Sequence, residues 1–198
     1  PAEGRTPNAL SLSDDETRMF VRRGLIAMAM AGIAIQIKYT AIFEGFFFGL
    51  VLAWWSMSRC ATWTRALGVT AAFAATALAP TLIALAAYAA IGEGQAFWFA
   101  NFSSIFLRGP SDPEAMAFRL QVSALRLAPL ALCALASLWL MPRDPAGIRQ
   151  RAVMIGWCAA ALIGFLSIGT FYTHYALPLF APFAATAAAA FGRRLIGR

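Results

Sequence analysis

Apolar residues run along this chain in long blocks broken by short polar punctuation. Six blocks can be drawn, over residues 21–38, 41–57, 66–91, 121–141, 152–170 and 175–192. A run of about 20 apolar residues covers the roughly 30 Å hydrocarbon core of a bilayer, and the third and fifth blocks meet that length unaided. The first two are short because Lys38 and Glu44 interrupt them. A tight reversal is expected at Lys38-Tyr39-Thr40, so that these two blocks form a helical hairpin. Residues 1–20 carry Pro, Gly, Asn, Ser and the early acidic charge and read as a polar loop, with 21–198 as the transmembrane helical domain. Within the loop, Ser13-Asp14-Asp15-Glu16 fits a capping box and predicts a helix start near Asp14. The pattern predicts an all-α, polytopic membrane bundle of about six transmembrane helices with short interfacial helices.

Composition sharpens this picture. The chain has 198 residues, 61% apolar and 13% charged, whereas soluble domains average about 45–50% and about 25%. A soluble globular enzyme is thereby excluded. The net charge of +7 is the balance of 16 basic against 9 acidic residues, all of the basic ones but Lys38 being Arg. They fall mostly between the apolar blocks, with no aromatic stacking platform for single-stranded nucleic acid, so nucleic acid is not expected as a partner.

Their distribution instead fits the rule that short Arg-rich loops stay cytoplasmic. With the amino terminus inside, the cytoplasmic side collects Arg5, Arg18, Arg22, Arg23, Arg59, Arg65, Arg143, Arg149, Arg151, Arg193, Arg194 and Arg198. The far side keeps Lys38, Arg108, Arg119 and Arg126, a division of twelve to four among the 16. Six crossings with both termini cytoplasmic are expected. Cys60, Cys133 and Cys158 are widely spaced in or beside apolar runs and read as small apolar fillers.

Three features then share the far side: the Lys38 reversal, a loop over about 92–119, and the turn Phe171-Tyr172-Thr173-His174-Tyr175. The loop contains Phe97, Trp98 and Phe99, which suit the headgroup interface, so an interfacial helix is expected there. Small residues recur at four-residue spacing in Ala71, Ala75, Ala79 and in Gly45, Gly49, a spacing that lets helix backbones approach closely in lipid.

Candidate chemistry is sparse. Lys38 at a helix end would suit a phosphate, or would snorkel to the interface and simply end the helix. Glu44 could pair with Lys38, line a cavity with Tyr39 or join a metal site. His174, the one histidine, sits between Tyr172 and Tyr175, placed to recognise a sugar or headgroup or to act as an ordinary interfacial residue. Arg108, Arg119 and Arg126 could grip a lipid phosphate, guanidinium groups being suited to bidentate contact, or could balance Asp112 and Glu114. Asn101-Phe102-Ser103 matches a glycosylation sequon that is common by chance. One His and one carboxylate are too few for structural zinc, and no cofactor is evident. Phosphate-binding, zinc-protease and serine-hydrolase motifs are all missing from the sequence.

Four stretches of this text resemble the polytopic GT-C glycosyltransferases, specifically the bacterial family 39 and Rgt-like group related to protein O-mannosyltransferases and aminoarabinose transferases. Gly24-Leu25 through Gly32 to Lys38-Tyr39-Thr40-Ala41 looks like the family's Lys-terminated helix, although Met28 stands where a second small residue is common. Gly94 to Phe102 is similar to its aromatic loop. Phe171 to Leu179, followed by Pro182, resembles its Phe-Tyr and His-Tyr turn, and the Ala-rich descent into Arg193-Arg194 completes the likeness.

The resemblance implies a polyprenyl-phosphate sugar as donor and glycosyl transfer to an acceptor on the extracytoplasmic face of the bacterial inner membrane. It implies donor-phosphate contacts from Lys38 and Arg108, and sugar or headgroup contacts from Tyr172, His174 and Tyr175. The family's catalytic aspartate lies in a first extracytoplasmic loop that has no counterpart here, so no catalytic residue is assigned. The chain, which opens at Pro1 without Met, is expected to be the middle and later part of a transmembrane domain, with amino-terminal helices of the same protein and membrane lipid as partners. A non-catalytic scaffold or assembly subunit is the alternative. A transporter would need polar residues along a mid-membrane path that the later blocks scarcely contain.

Overall fold

A computed structural model describes residues 14–104, 107, 112–167 and 169–196. Among them every regular element is helical: α1 (Asp14–Ile37), α2 (Ala41–Arg59), α3 (Trp63–Ala90), the short α4 (Gly94–Trp98), α5 (Pro113–Leu140), α6 (Pro145–Ser167) and α7 (Leu177–Ile196). A π-helical turn (Phe99–Ser103) continues α4, and a 3₁₀ turn (Thr173–Ala176) precedes α7. Five helices, α1, α2, α3, α5 and α6, are long and apolar enough to cross a membrane. The chain is therefore an all-helical protein with the build of a multi-pass membrane protein. The sixth expected crossing is also helical, as α7, but its side chains are described only as far as residue 189, and the five spans are counted among the described residues without it.

Helix starts differ from the apolar blocks for a local reason. Asp112 accepts a hydrogen bond from Ala115 N at 3.1 Å with Pro113 beginning the helix, so α5 starts well before residue 121. Asp144 Oδ1 likewise accepts from Gly147 N at 3.1 Å and starts α6 before residue 152. Thr62 Oγ1 accepts from Arg65 N at 3.3 Å and starts α3. These caps lie outside the apolar runs, where backbone N–H groups at helix starts still need partners. α1 is described from Asp14 onward; Ser13, and with it the capping pattern expected at the helix start, lies outside the described residues.

The chain divides into two compact units. The first holds α1, α2 from Gly45 onward and α3. Here α1 and α3 run parallel. A Cβ on Gly24 would strike the Phe73 ring, one on Gly32 would strike the Ala77 carbonyl oxygen, and Gln36 Nε2 donates to Thr81 Oγ1 at 2.5 Å. α2 runs antiparallel to α1, with Gly45 beside Ala31 and Ile35 and Gly49 beside Met28. The Gly45–Gly49 spacing thus marks a close helix contact. In the Ala71, Ala75, Ala79 stripe the first two residues are exposed and Ala79 is half-buried, and α3 meets the α1 glycines at Phe73, Ala77 and Pro80. Apolar side chains provide little drive for helix association in lipid, so close fit of this kind carries the packing.

The second unit holds Thr40–Glu44, the first turn of α2, and the chain from Ala96. α7 packs on α5 and α6 around Leu127, Ala161, Phe165, Ala176 and Leu179. Buried positions on α5 fall at Ser123, Leu127, Ala134 and Ser137, one helical face. Ser137 Oγ donates to Ala187 O at 2.9 Å across the α5–α7 contact. Large apolar side chains such as Trp139 and Leu132 point outward, 75% and 65% exposed, as a surface facing lipid requires.

Candidate functional site

In the second unit, one face of α5 meets the turn that leads into α7. Arg119, Ser123 and Arg126 are spaced so that a 3.6-residue period brings them to that face. The turn takes an uncommon path. Gly169 has φ +70° and Phe171 has φ +50°, a left-handed conformation costly for a bulky residue. Packing holds it there: the Phe171 ring lies 5.4 Å from that of Phe165, beside the buried core. The chain then enters the 3₁₀ turn, where Tyr175 N donates to Tyr172 O at 2.8 Å. Pro178 sits in the first turn of α7, where its lack of an N–H costs nothing.

Four side chains gather on this turn. Arg119 Nη1 donates to Thr170 O at 3.2 Å, and its guanidinium carbon lies 4.0 Å from the centroid of the Tyr172 ring. The Tyr172 and His174 rings are nearly parallel, 5.8 Å apart and inclined by 15°. The His174 and Tyr175 rings are 4.3 Å apart. Arg119 is half-buried, whereas Tyr172 and His174 are exposed.

Beside this cluster lies a cleft of about 320 Å³ lined by Ser123, Arg126, Leu127, Thr173, His174 and Phe180, among others. Ser123 is only 2% exposed, and its hydroxyl has no hydrogen-bond partner among the described residues. A buried unpaired hydroxyl costs free energy that a polar ligand group would recover. The cleft is otherwise mostly apolar with a few convergent polar groups, the usual makeup of a small-molecule site.

The rings of Tyr172, His174 and Tyr175 thus lie 4.3–6.2 Å from one another on this turn. Arg108 lies outside the described residues. Lys38 is half-buried at the end of α1 in the first unit, its N–H bonded to Ala34 O at 2.8 Å, and half-buried Tyr39 follows it. Glu44, in the second unit, accepts a hydrogen bond from Trp157 Nε1 at 2.7 Å, so the carboxylate ties the first turn of α2 to α6. Gly164 lets these elements close, since a Cβ there would lie 3.1 Å from Phe43 Cδ2.

Ser123 and Thr173 line the cleft without being marked as site residues by the sequence pattern. The available signal was the i, i+4, i+7 spacing of Arg119, Ser123 and Arg126 ahead of an apolar helix. Asn101, the sequon acceptor, donates from Nδ2 to Phe97 O at 2.9 Å within the π-helical turn. Among the described residues no three of His, Cys, Asp and Glu converge as metal ligands. Comparison of the chain with protein-family models, with curated proteins and with solved structures finds no match.

Proposed function

We propose that this chain is the transmembrane portion of a glycosyltransferase that takes a sugar from a polyprenyl-phosphate donor and passes it to an extracytoplasmic acceptor. The observation that carries this reading is the Arg119–Tyr172–His174–Tyr175 cluster bordering a cleft with Arg126 and the buried Ser123 hydroxyl. A glycosyl phosphate offers three kinds of surface: an anionic phosphate, hydroxyls, and C–H faces of the ring. Guanidinium, hydroxyl and imidazole, and aromatic rings answer them in turn. In this reading Arg126 meets the phosphate and Tyr172, His174 and Tyr175 meet the sugar. Lys38, in the first unit, and Arg108, outside the described residues, are proposed as phosphate contacts on the family resemblance alone. The membrane is the bacterial plasma membrane, with both termini of this chain cytoplasmic, and no residue of the chain is assigned as catalytic base.

The test is photocrosslinking with a polyprenyl-phosphate hexose bearing a diazirine on its first isoprene units. Labelling is expected in the segment 172–180 and at 119–127. Labelling spread evenly over the exposed helices contradicts the reading. One observation favours a second reading, a non-catalytic scaffold subunit: among the described residues that line the cleft none is a carboxylate. The two readings separate on whether donor binding is followed by sugar transfer in the intact protein.

A further inference from the structure

The first unit carries a second cleft that the glycosyl-donor reading does not use. A groove of about 550 Å³ runs between the amino-terminal parts of α1 and α3, lined by Arg18, Arg22, Leu25, Ile26, Arg65 and Val69, among others. Arg18 and Arg22 are one helical turn apart on α1, so both guanidinium groups address the same groove, and Arg65 enters from the start of α3. All three are exposed.

This end of the unit is rich in cations. Arg59 closes α2 with its guanidinium 5.1 Å from the Phe20 ring centroid and 4.9 Å from that of Trp55, so the end of α2 meets the start of α1. Arg18, Arg22, Arg23, Arg59 and Arg65 therefore collect at one end of three helices. The acids nearby in sequence are Asp14, Asp15 and Glu16, leaving a surplus of positive charge. Trp55 and the exposed Trp63 stand at the same end, where amphipathic rings mark the headgroup level of a membrane.

We propose that this groove binds one anionic glycerophospholipid, its phosphodiester between Arg18, Arg22 and Arg65 and an acyl chain along Leu25, Ile26 and Val69. Charge complementarity selects the occupant. A soluble anion would satisfy the guanidinium groups but leave the apolar length of the groove uncovered. A zwitterionic lipid would bring its own cation against three arginines. An anionic diacyl lipid matches both parts, and basic pockets between transmembrane helices on the cytoplasmic side are suited to such headgroups. None of the residues named as lining this groove is one that the glycosyl-donor reading uses.

The experiment is native mass spectrometry of the purified chain released from micelles containing equal amounts of phosphatidylglycerol and phosphatidylcholine. The wild-type chain is expected to retain phosphatidylglycerol preferentially, and R18A/R22A to retain about tenfold less of it, having lost two charge-assisted phosphate contacts. R143A/R149A removes the same two charges from the second unit and is expected to retain as much as wild type. Inorganic phosphate at millimolar concentration is expected to leave retention unchanged. Equal retention of both lipids by wild type, undiminished retention by R18A/R22A, loss in R143A/R149A as large as in R18A/R22A, or displacement by phosphate each overturns the proposal. Should R18A/R22A lose its cooperative melt, R18K/R22K decides. It keeps the charge but not the bidentate fork, so reduced retention with a wild-type melt supports the site and wild-type retention overturns it.

Discussion

Arg119 and Tyr172, 53 positions apart in the chain, meet with the guanidinium carbon 4.0 Å from the ring centroid, and the same guanidinium donates to Thr170 O. One side chain of α5 therefore clamps both the backbone and an aromatic ring of a turn whose Phe171 holds a positive φ. Arg119→Ala is expected to release the turn and cost about 1.5–3 kcal/mol for the charged hydrogen bond alone. Arg119→Lys should recover little, since an ammonium cannot stack its plane on the ring while reaching the carbonyl. Thermal unfolding in detergent checks the first expectation. Comparison of the two variants checks the second.

Close backbone approach in the first unit rests on Gly32. A Cβ there would strike the Ala77 carbonyl oxygen, which is backbone and cannot swing aside. Gly32→Ala is expected to destabilise the α1–α3 contact by about 1–3 kcal/mol through overpacking. Gly68→Ala meets nothing within 4 Å and should be neutral or slightly stabilising through helix propensity. Melting curves of the two variants side by side provide the check, and equal effects would contradict the packing described.

The Trp157–Glu44 hydrogen bond joins two elements of the second unit at 2.7 Å. Trp157→Phe leaves the Glu44 carboxylate without its indole donor and is expected to destabilise by about 1.5–3 kcal/mol. Glu44→Gln keeps an acceptor oxygen and should cost less. Combining Trp157→Phe with Glu44→Leu removes both polar partners, so it should recover part of the loss of Trp157→Phe alone. A double-mutant cycle on the unfolding free energy measures the coupling.

Much of the fold is legible from the apolar blocks. Their positions place α1, α2, α3, α5 and α6, and the polar break at Lys38 locates the reversal between α1 and α2. Helix starts are not legible from hydropathy, because Thr62, Asp112 and Asp144 act through capping hydrogen bonds in the polar segments. The partner of each small-residue stripe is hidden as well. Ala-rich helices carry several such stripes, and only packing shows that Gly24 and Gly32 meet Phe73 and Ala77 while Ala71 and Ala75 face outward. At the candidate site, the Tyr172–Tyr175 turn stands out as a polar and aromatic cluster between apolar runs. Ser123 does not, since nothing in a lone serine within an apolar helix announces a buried hydroxyl without a partner.

The division of arginines predicts orientation. A reporter fused after Arg198 is expected in the cytoplasm, and one inserted within residues 103–114 is expected outside, following the preference of basic loops for the cytoplasmic side. Alkaline phosphatase and fluorescent-protein fusions read the two compartments. A carboxyl-terminal fusion found outside would mean that α7 does not complete the crossing proposed for it.

Affinity for donor lipid tests the central claim most directly. The purified chain in phosphatidylcholine nanodiscs is titrated with polyprenyl-phosphate hexose, alongside Arg126→Ala, His174→Ala and Lys38→Ala. Arg126→Ala and Lys38→Ala should each weaken binding about tenfold to a hundredfold, the loss of one charge-assisted phosphate contact. His174→Ala should weaken it less and should narrow the preference for the glycosylated lipid over polyprenyl phosphate alone. Unchanged affinity for Lys38→Ala with a wild-type melt would assign that residue to anchoring at the interface instead. Unchanged affinity and preference in both Arg126→Ala and His174→Ala, each with a wild-type melt, would contradict the account.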